Sequence, residues 1–133
     1  MNNSCKPGDK RIHSFKVEKD HFPSFEGQIV HEVCSTYVLA REIEWSTRLF
    51  VLDMLEENEE GIGTMLKIDH ISPAFNEEKV IIEATLDYAK GKEIVCSFQA
   101  KVGDREIAKG KTGQKIFKKD KLNQIFSDLS NNG

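Results

Sequence analysis

Residues from Thr36 to about Glu56 carry apolar side chains at the period of an amphipathic helix, and nothing after Gly61 does until the last dozen residues. Instead, apolar residues recur at every second position in successive runs separated by turn residues. A period of 3.6 residues buries one stripe of a helix, whereas a period of two buries one face of a strand. A chain with one long helix and several strands has few stable layouts. The simplest is α+β, with the helix covering one face of an antiparallel sheet.

Within the helical segment Leu39, Ile43, Leu49 and Phe50, flanked by Trp45 and Leu52, make the apolar stripe. Ser35 or Thr36 is placed to cap it, since a side-chain oxygen there accepts an orphan amide hydrogen of the first turn. The far end runs into Glu56-Glu57-Asn58-Glu59-Glu60-Gly61, where acidic residues oppose the helix dipole and a glycine stops the turn. In the first strand-like run Thr64, Leu66, Ile68 and His70 share one face, and Lys67 and Asp69 take the other. Val80, Ile82, Ala84, Leu86 and Tyr88 line the next, and Ile94, Cys96, Phe98, Ala100 and Val102 a third. A fourth spans roughly Glu106 to Phe117, loosened by Gly110 and Gly113. Short turns between consecutive runs favour a meander of neighbouring antiparallel strands.

Ahead of the helix, His13 to Lys19 alternates weakly and is expected to be a first strand, with residues 1–13 a flexible end. Phe22-Pro23-Ser24-Phe25-Glu26-Gly27 has loop chemistry with two aromatics, which either tuck onto the core or cover a pocket. One domain over residues 14–117 is expected, followed by a tail over 118–133 in which Leu122, Ile125, Phe126 and Leu129 have helical spacing.

At 133 residues the chain is the size of a single core. Only 38% of it is hydrophobic, which favours an oligomer in which a second copy covers one face. A net charge of −3 offers no general basic field for nucleic acid. Three cysteines, Cys5, Cys34 and Cys96, fit a reducing compartment better than a disulfide framework or a zinc site. No targeting segment or run of ~20 apolar residues is present, so a cytoplasmic protein without a membrane span is expected.

Three polar residues stand out. Glu44 lies on the helix near Arg41 and Arg48, so it is either a solvated ion-pair member or a carboxylate at the rim of a cleft. His70 shares an apolar strand face, as a core imidazole or a proton carrier. Thr36 is a cap, or a hydroxyl facing a ligand, or both. Gly61-Ile62-Gly63 is a helix stop, or a place where the Gly63 amide approaches a substrate oxygen. Cys34, near a helix N-terminus, is a weaker nucleophile candidate because no histidine is paired with it in sequence. Lys109, Lys111, Lys115, Lys118, Lys119 and Lys121 make either a solvated strand face or a contact to substrate phosphates. No phosphate loop, zinc motif or serine-hydrolase elbow occurs.

Taken together, the pieces resemble the hotdog fold, an antiparallel sheet wrapped around one long central helix. From about Val33 to Phe117 the chain looks like its thioesterase branch, in particular the fluoroacetyl-CoA thioesterase-like group. The likeness rests on Ser35-Thr36, Ile43-Glu44-Trp45, Gly61-Ile62-Gly63-Thr64 and Ile68-Asp69-His70-Ile71-Ser72-Pro73. Eight residues separate the threonine from the glutamate, and 26 the glutamate from the histidine. The resemblance implies a homodimer with two sheets joined edge to edge and acyl-CoA clefts at the interface. It further implies that Thr36, Glu44 and His70 supply the catalytic hydroxyl, carboxylate and imidazole, and that the Gly63 amide contacts the thioester oxygen. Coenzyme A would enter as part of the substrate, with no separate cofactor or metal.

Such parts suit thioester hydrolysis. The leaving thiolate has a parent thiol pKa near ~8.5, so the main tasks are polarising the carbonyl and delivering water or a carboxylate. The sequence departs from the group in its last strand. Many relatives read Gly-Thr-His followed closely by arginine, and here the stretch is Gly110-Lys111-Thr112-Gly113-Gln114-Lys115. Acyl specificity is therefore open, and nothing in the sequence selects fluoroacetate. The alternative to an enzyme is a non-catalytic hotdog module that binds acyl-CoA. A hotdog hydratase would carry Asp-x-x-x-x-His, which is absent.

Overall fold

The structure, a computed structural model, describes residues 1–132. Along the chain come β1 (Lys10–Lys16), a 3-10 turn (Lys19–His21), β2 (Ser24–Phe25), β3 (Gln28–Ile29) and α1 (Thr36–Met54). Then follow β4 (Glu59–His70), β5 (Lys79–Lys90), β6 (Glu93–Val102), β7 (Arg105–Lys118) and α2 (Lys119–Asn132). Gly133, the end of the expected tail, lies outside the described residues.

The five long strands form one antiparallel sheet in the order β1-β5-β6-β7-β4, with α1 packed across one face. The α+β expectation holds, but the simple meander does not. Only β5, β6 and β7 follow one another; β4 pairs with β7 at one edge, and β5 pairs with β1 at the other. The segment between His70 and Lys79 is a crossover and not a hairpin, and it carries Pro73, which has no amide hydrogen to continue a ladder.

Two expectations about the chain start are corrected. The first strand runs from Lys10, pairing Lys10 with Thr85 and Lys16 with Lys79. Residues ahead of it are docked and not frayed: the Asn2 amide donates to Met54 O (2.9 Å), the Gly8 amide to Leu86 O (2.8 Å), and Cys5 is buried. The backbone groups of this stretch find partners on α1 and β5, which its polar composition conceals. Of the two loop aromatics, Phe22 tucks into the core and Phe25 stays exposed.

The buried face of α1 is rotated from the expected stripe. Val38, Leu39, Ile43, Phe50, Val51 and Met54 are inside, whereas Trp45 and Leu52 are exposed. Burying side chains of that size contributes roughly 1.5–3 kcal/mol each before entropy is counted. They form two apolar clusters. One joins Val38, Leu39 and Ile43 to Val80, Ile82, Phe98 and Ile107. The other joins Phe50, Val51 and Met54 to Leu86, Ile94, Cys96 and Ile116.

Candidate functional site

Ser35, not Thr36, caps α1: its side chain accepts from the Val38 amide at 3.1 Å. Thr36 is the first helical residue, so its hydroxyl is free for another partner. That partner is His70, the last residue of β4, whose Nδ1 lies 2.9 Å from Thr36 Oγ1. Both residues sit at an exposed rim. Packing around the imidazole still removes water, and this desolvation lowers the His70 pKa from its ordinary value, against a backbone hydrogen bond with Ser72 that raises it. Neutral imidazole is the dominant form near pH 7, so the ring accepts from or donates to the threonine according to its tautomer.

Glu44 and Gly63 both line a cleft of about 490 Å³ between α1 and the β4–β7 edge. The expected Glu–Arg pairing on the helix is absent. Arg48 donates to Gly61 O (3.3 Å) and Glu60 (3.1 Å), and Arg41 lies 3.6 Å from Glu42. Glu44 is left exposed on the cleft wall, in none of the ion pairs among the described residues. A bulge between Gly63 and Met65 makes Thr64 the extra residue, so it drops out of the alternation expected for Leu66, Ile68 and His70. Gly63 pairs with Gln114 and also borders the cleft.

Thr36 and His70 thus meet, while Glu44 and Gly63 line a cleft that neither of them borders. Thr36 and Glu44 are eight residues apart on α1, or about 12 Å at 1.5 Å per residue. Thr36–His70 lies at the N-terminal end of α1, and Glu44 two turns further along.

Between the two apolar clusters the core turns polar, which the sequence reading missed. Ser46, Thr47, Thr112 and Gln114 are all buried. Gln114 Nε2 donates to Thr47 Oγ1 at 3.5 Å, Thr47 Oγ1 to Glu44 O at 3.1 Å, and Ser46 Oγ to Ile43 O at 2.6 Å. Thr112 Oγ1 is shielded from solvent and has no partner. Such a hydroxyl costs about 1–3 kcal/mol. Thr47, Thr112 and Gln114 line the same cleft as Glu44 and Gly63. Their signal in the sequence was the departure from Gly-Thr-His in the last strand.

The weaker candidates lie elsewhere. Burial pushes the Cys34 thiol up to about 11, so little of the nucleophilic thiolate exists at neutral pH. Lys109, Lys111 and Lys115 are exposed and alternate with the buried residues that face α1, so they point away from the cleft. Glu18, Asp20 and His21 bring three possible metal-ligating atoms within 4.8 Å on the exposed 3-10 turn. His21 Nδ1 there already accepts from the Glu18 amide at 2.9 Å. No helix among the described residues is long and apolar enough to cross a membrane.

Comparison with known proteins bears on the fold and the family. A protein from Thermus thermophilus, described as a thioesterase superfamily member, is 27% identical with a TM-score of 0.88 over 96% of this chain and 94% of its own. The fluoroacetyl-CoA thioesterase FlK is 21% identical with a TM-score of 0.85 over 95% and 98%. A hot-dog-like protein from Thermanaerovibrio acidaminovorans is 19% identical with a TM-score of 0.84 over 92% and 91%. FlK variants have been solved in complex with fluoroacetate and CoA, and with acetyl-CoA. No curated protein matches the sequence significantly. The family model for FlK, the fluoroacetyl-CoA-specific thioesterase, matches residues 17–120. The chain has the hotdog fold and belongs to the FlK fluoroacetyl-CoA-specific thioesterase family.

Proposed function

We propose that the protein hydrolyses acyl-CoA thioesters as a homodimer, with Thr36, Glu44 and His70 catalytic and the Gly63 amide on the thioester oxygen. The observation that carries this reading is the cleft lined by both an unpaired carboxylate, Glu44, and Gly63. Water adds to the thioester carbon while Glu44 takes its proton, or Glu44 itself attacks and the resulting anhydride is hydrolysed. The oxyanion is held by amide donors, the C–S bond breaks, and CoA leaves as thiolate and collects a proton. Neutral His70, hydrogen-bonded to Thr36, positions the attacking group and carries the proton.

Separation of Thr36–His70 from Glu44 supports a second copy. Strand β4 has 12 residues and lies at a sheet edge, with one side of its backbone unpaired. Met65, Leu66 and Trp45 are exposed beside that edge. A long uncovered edge with apolar neighbours is a template for pairing with another strand. Antiparallel pairing of β4 with its own copy about an axis near Leu66 and Lys67 brings Thr36 and His70 of one subunit beside Glu44 and Gly63 of the other.

The test is thiol release from short, medium and aromatic acyl-CoAs. Wild type releases thiol, and Glu44→Ala lowers kcat by about 100-fold or more. Wild-type activity in Glu44→Ala removes Glu44 from the mechanism. Binding without turnover across the whole panel would instead make the protein an acyl-CoA-binding module.

A further inference from the structure

The polar interruption of the core lies where the acyl group of a thioester held at Gly63 would enter. Gln114 pairs directly with Gly63, and Thr112 pairs with Leu66, two residues further along β7. Two residues of strand span about 6.8 Å. A hydroxyl on the third carbon of an acyl chain, with a hydrogen bond of ~2.8 Å, covers that distance. Both side chains are more than nine-tenths buried, border the cleft, and offer groups a plain alkyl chain cannot use. The Thr112 hydroxyl has no partner, and the Gln114 amide makes one long contact, to Thr47. The arginines on the cleft wall are engaged with Gly61, Glu60 and Glu42, so a neutral oxygen suits the floor better than a carboxylate.

We propose that Thr112 and Gln114 form a subsite for a hydroxyl group on the acyl chain, so that the substrates are short hydroxyacyl thioesters and not simple alkanoyl ones. This rests on the thioesterase reading of the same cleft. Rotation of Thr112 about χ1 turns its hydroxyl to the ligand, where it both donates and accepts, and the second Gln114 N–H completes the site. An alkyl chain of equal length strips these groups of water and returns no hydrogen bond.

The test compares kcat/KM for 3-hydroxybutanoyl-CoA and butanoyl-CoA using the full chain. Wild type favours the hydroxylated substrate by about tenfold or more. Thr112→Val, which swaps the hydroxyl for a methyl of similar volume, lowers that ratio by about tenfold, and Thr112→Ser retains it. Should Thr112→Val fail to fold by circular dichroism, Gln114→Leu carries the same expectation. An unchanged ratio in the variant, or a wild-type preference for butanoyl-CoA, overturns the subsite. If neither substrate is hydrolysed and the wider acyl-CoA panel also releases no thiol, the thioesterase reading fails separately. Calorimetry with the two non-hydrolysable thioether analogues then decides the subsite: tighter binding of the hydroxylated one in wild type alone supports it, and equal binding overturns it.

Discussion

At the residue scale, the imidazole of His70 is stabilised in its neutral form because packing at the end of β4 removes water from the charged form. Its pKa lies below 6.5, so between the two values the unfolded chain binds more protons than the folded one. Stability therefore rises with pH through this window and is lost on acidification below about pH 6.5. Denaturant titrations between about pH 7 and pH 5 should show a steeper fall for wild type than for His70→Gln. The acid limb of kcat/KM should report an apparent pKa under 6.5, provided that His70 acts in the free enzyme. A stability slope identical in the two proteins would show that His70 titrates as it does in the unfolded chain. Thr36 illustrates how local context misleads. It and Ser35 are equivalent candidates for the cap in sequence, and only the packing of β4 shows which hydroxyl is spent on the helix.

At the element scale, Gly110 decides how β4 and β7 meet. A Cβ built there would run into the carbonyl group of Lys67 and lie 2.9 Å from the Phe98 ring. The glycine that reads as a weakness in an alternating strand is in fact required by close backbone approach at the cleft-bearing edge. Gly110→Ala should destabilise the protein by about 3 kcal/mol or shift the β4–β7 register, because neither a backbone carbonyl nor a buried ring yields cheaply. Chemical denaturation measures the first, and a loss of amide protection confined to β4 and β7 reveals the second. Gly63→Ala meets nothing within 4 Å and makes a matched control for stability. The two helices contrast in the same way: α1 carries eight buried residues, while most of α2 is exposed.

At the scale of the whole molecule, the β4 edge and the separation of Thr36–His70 from Glu44 bear on the proposed dimer. Light scattering at micromolar concentration should give a dimer, and specific activity should fall on dilution as subunits separate. A strictly monomeric, fully active protein would remove the shared-cleft model and leave the 12 Å separation without a remedy.

Much of this was already written in the chain. Alternation over Val80–Tyr88 and Ile94–Val102, one helix-length stripe, and the spacing of Thr36, Glu44, Gly63 and His70 were legible because side-chain period and sequence interval are local properties. The placement of β4 beside β7, the docking of residues 1–9, and the rotation of α1 that exposes Trp45 were not. Those depend on which surfaces meet, and a period-two or period-3.6 pattern says that a face is buried without naming its partner. The same limit hid Thr112 and Gln114. Their departure from Gly-Thr-His was visible in sequence, but only tertiary packing seals a hydroxyl without a partner beneath the cleft. By itself the sequence determined the long helix, the main strands, the family pattern and the catalytic candidates. Tertiary structure alone decided which of them touch, because hydrogen bonds and burial are set between segments distant in the chain.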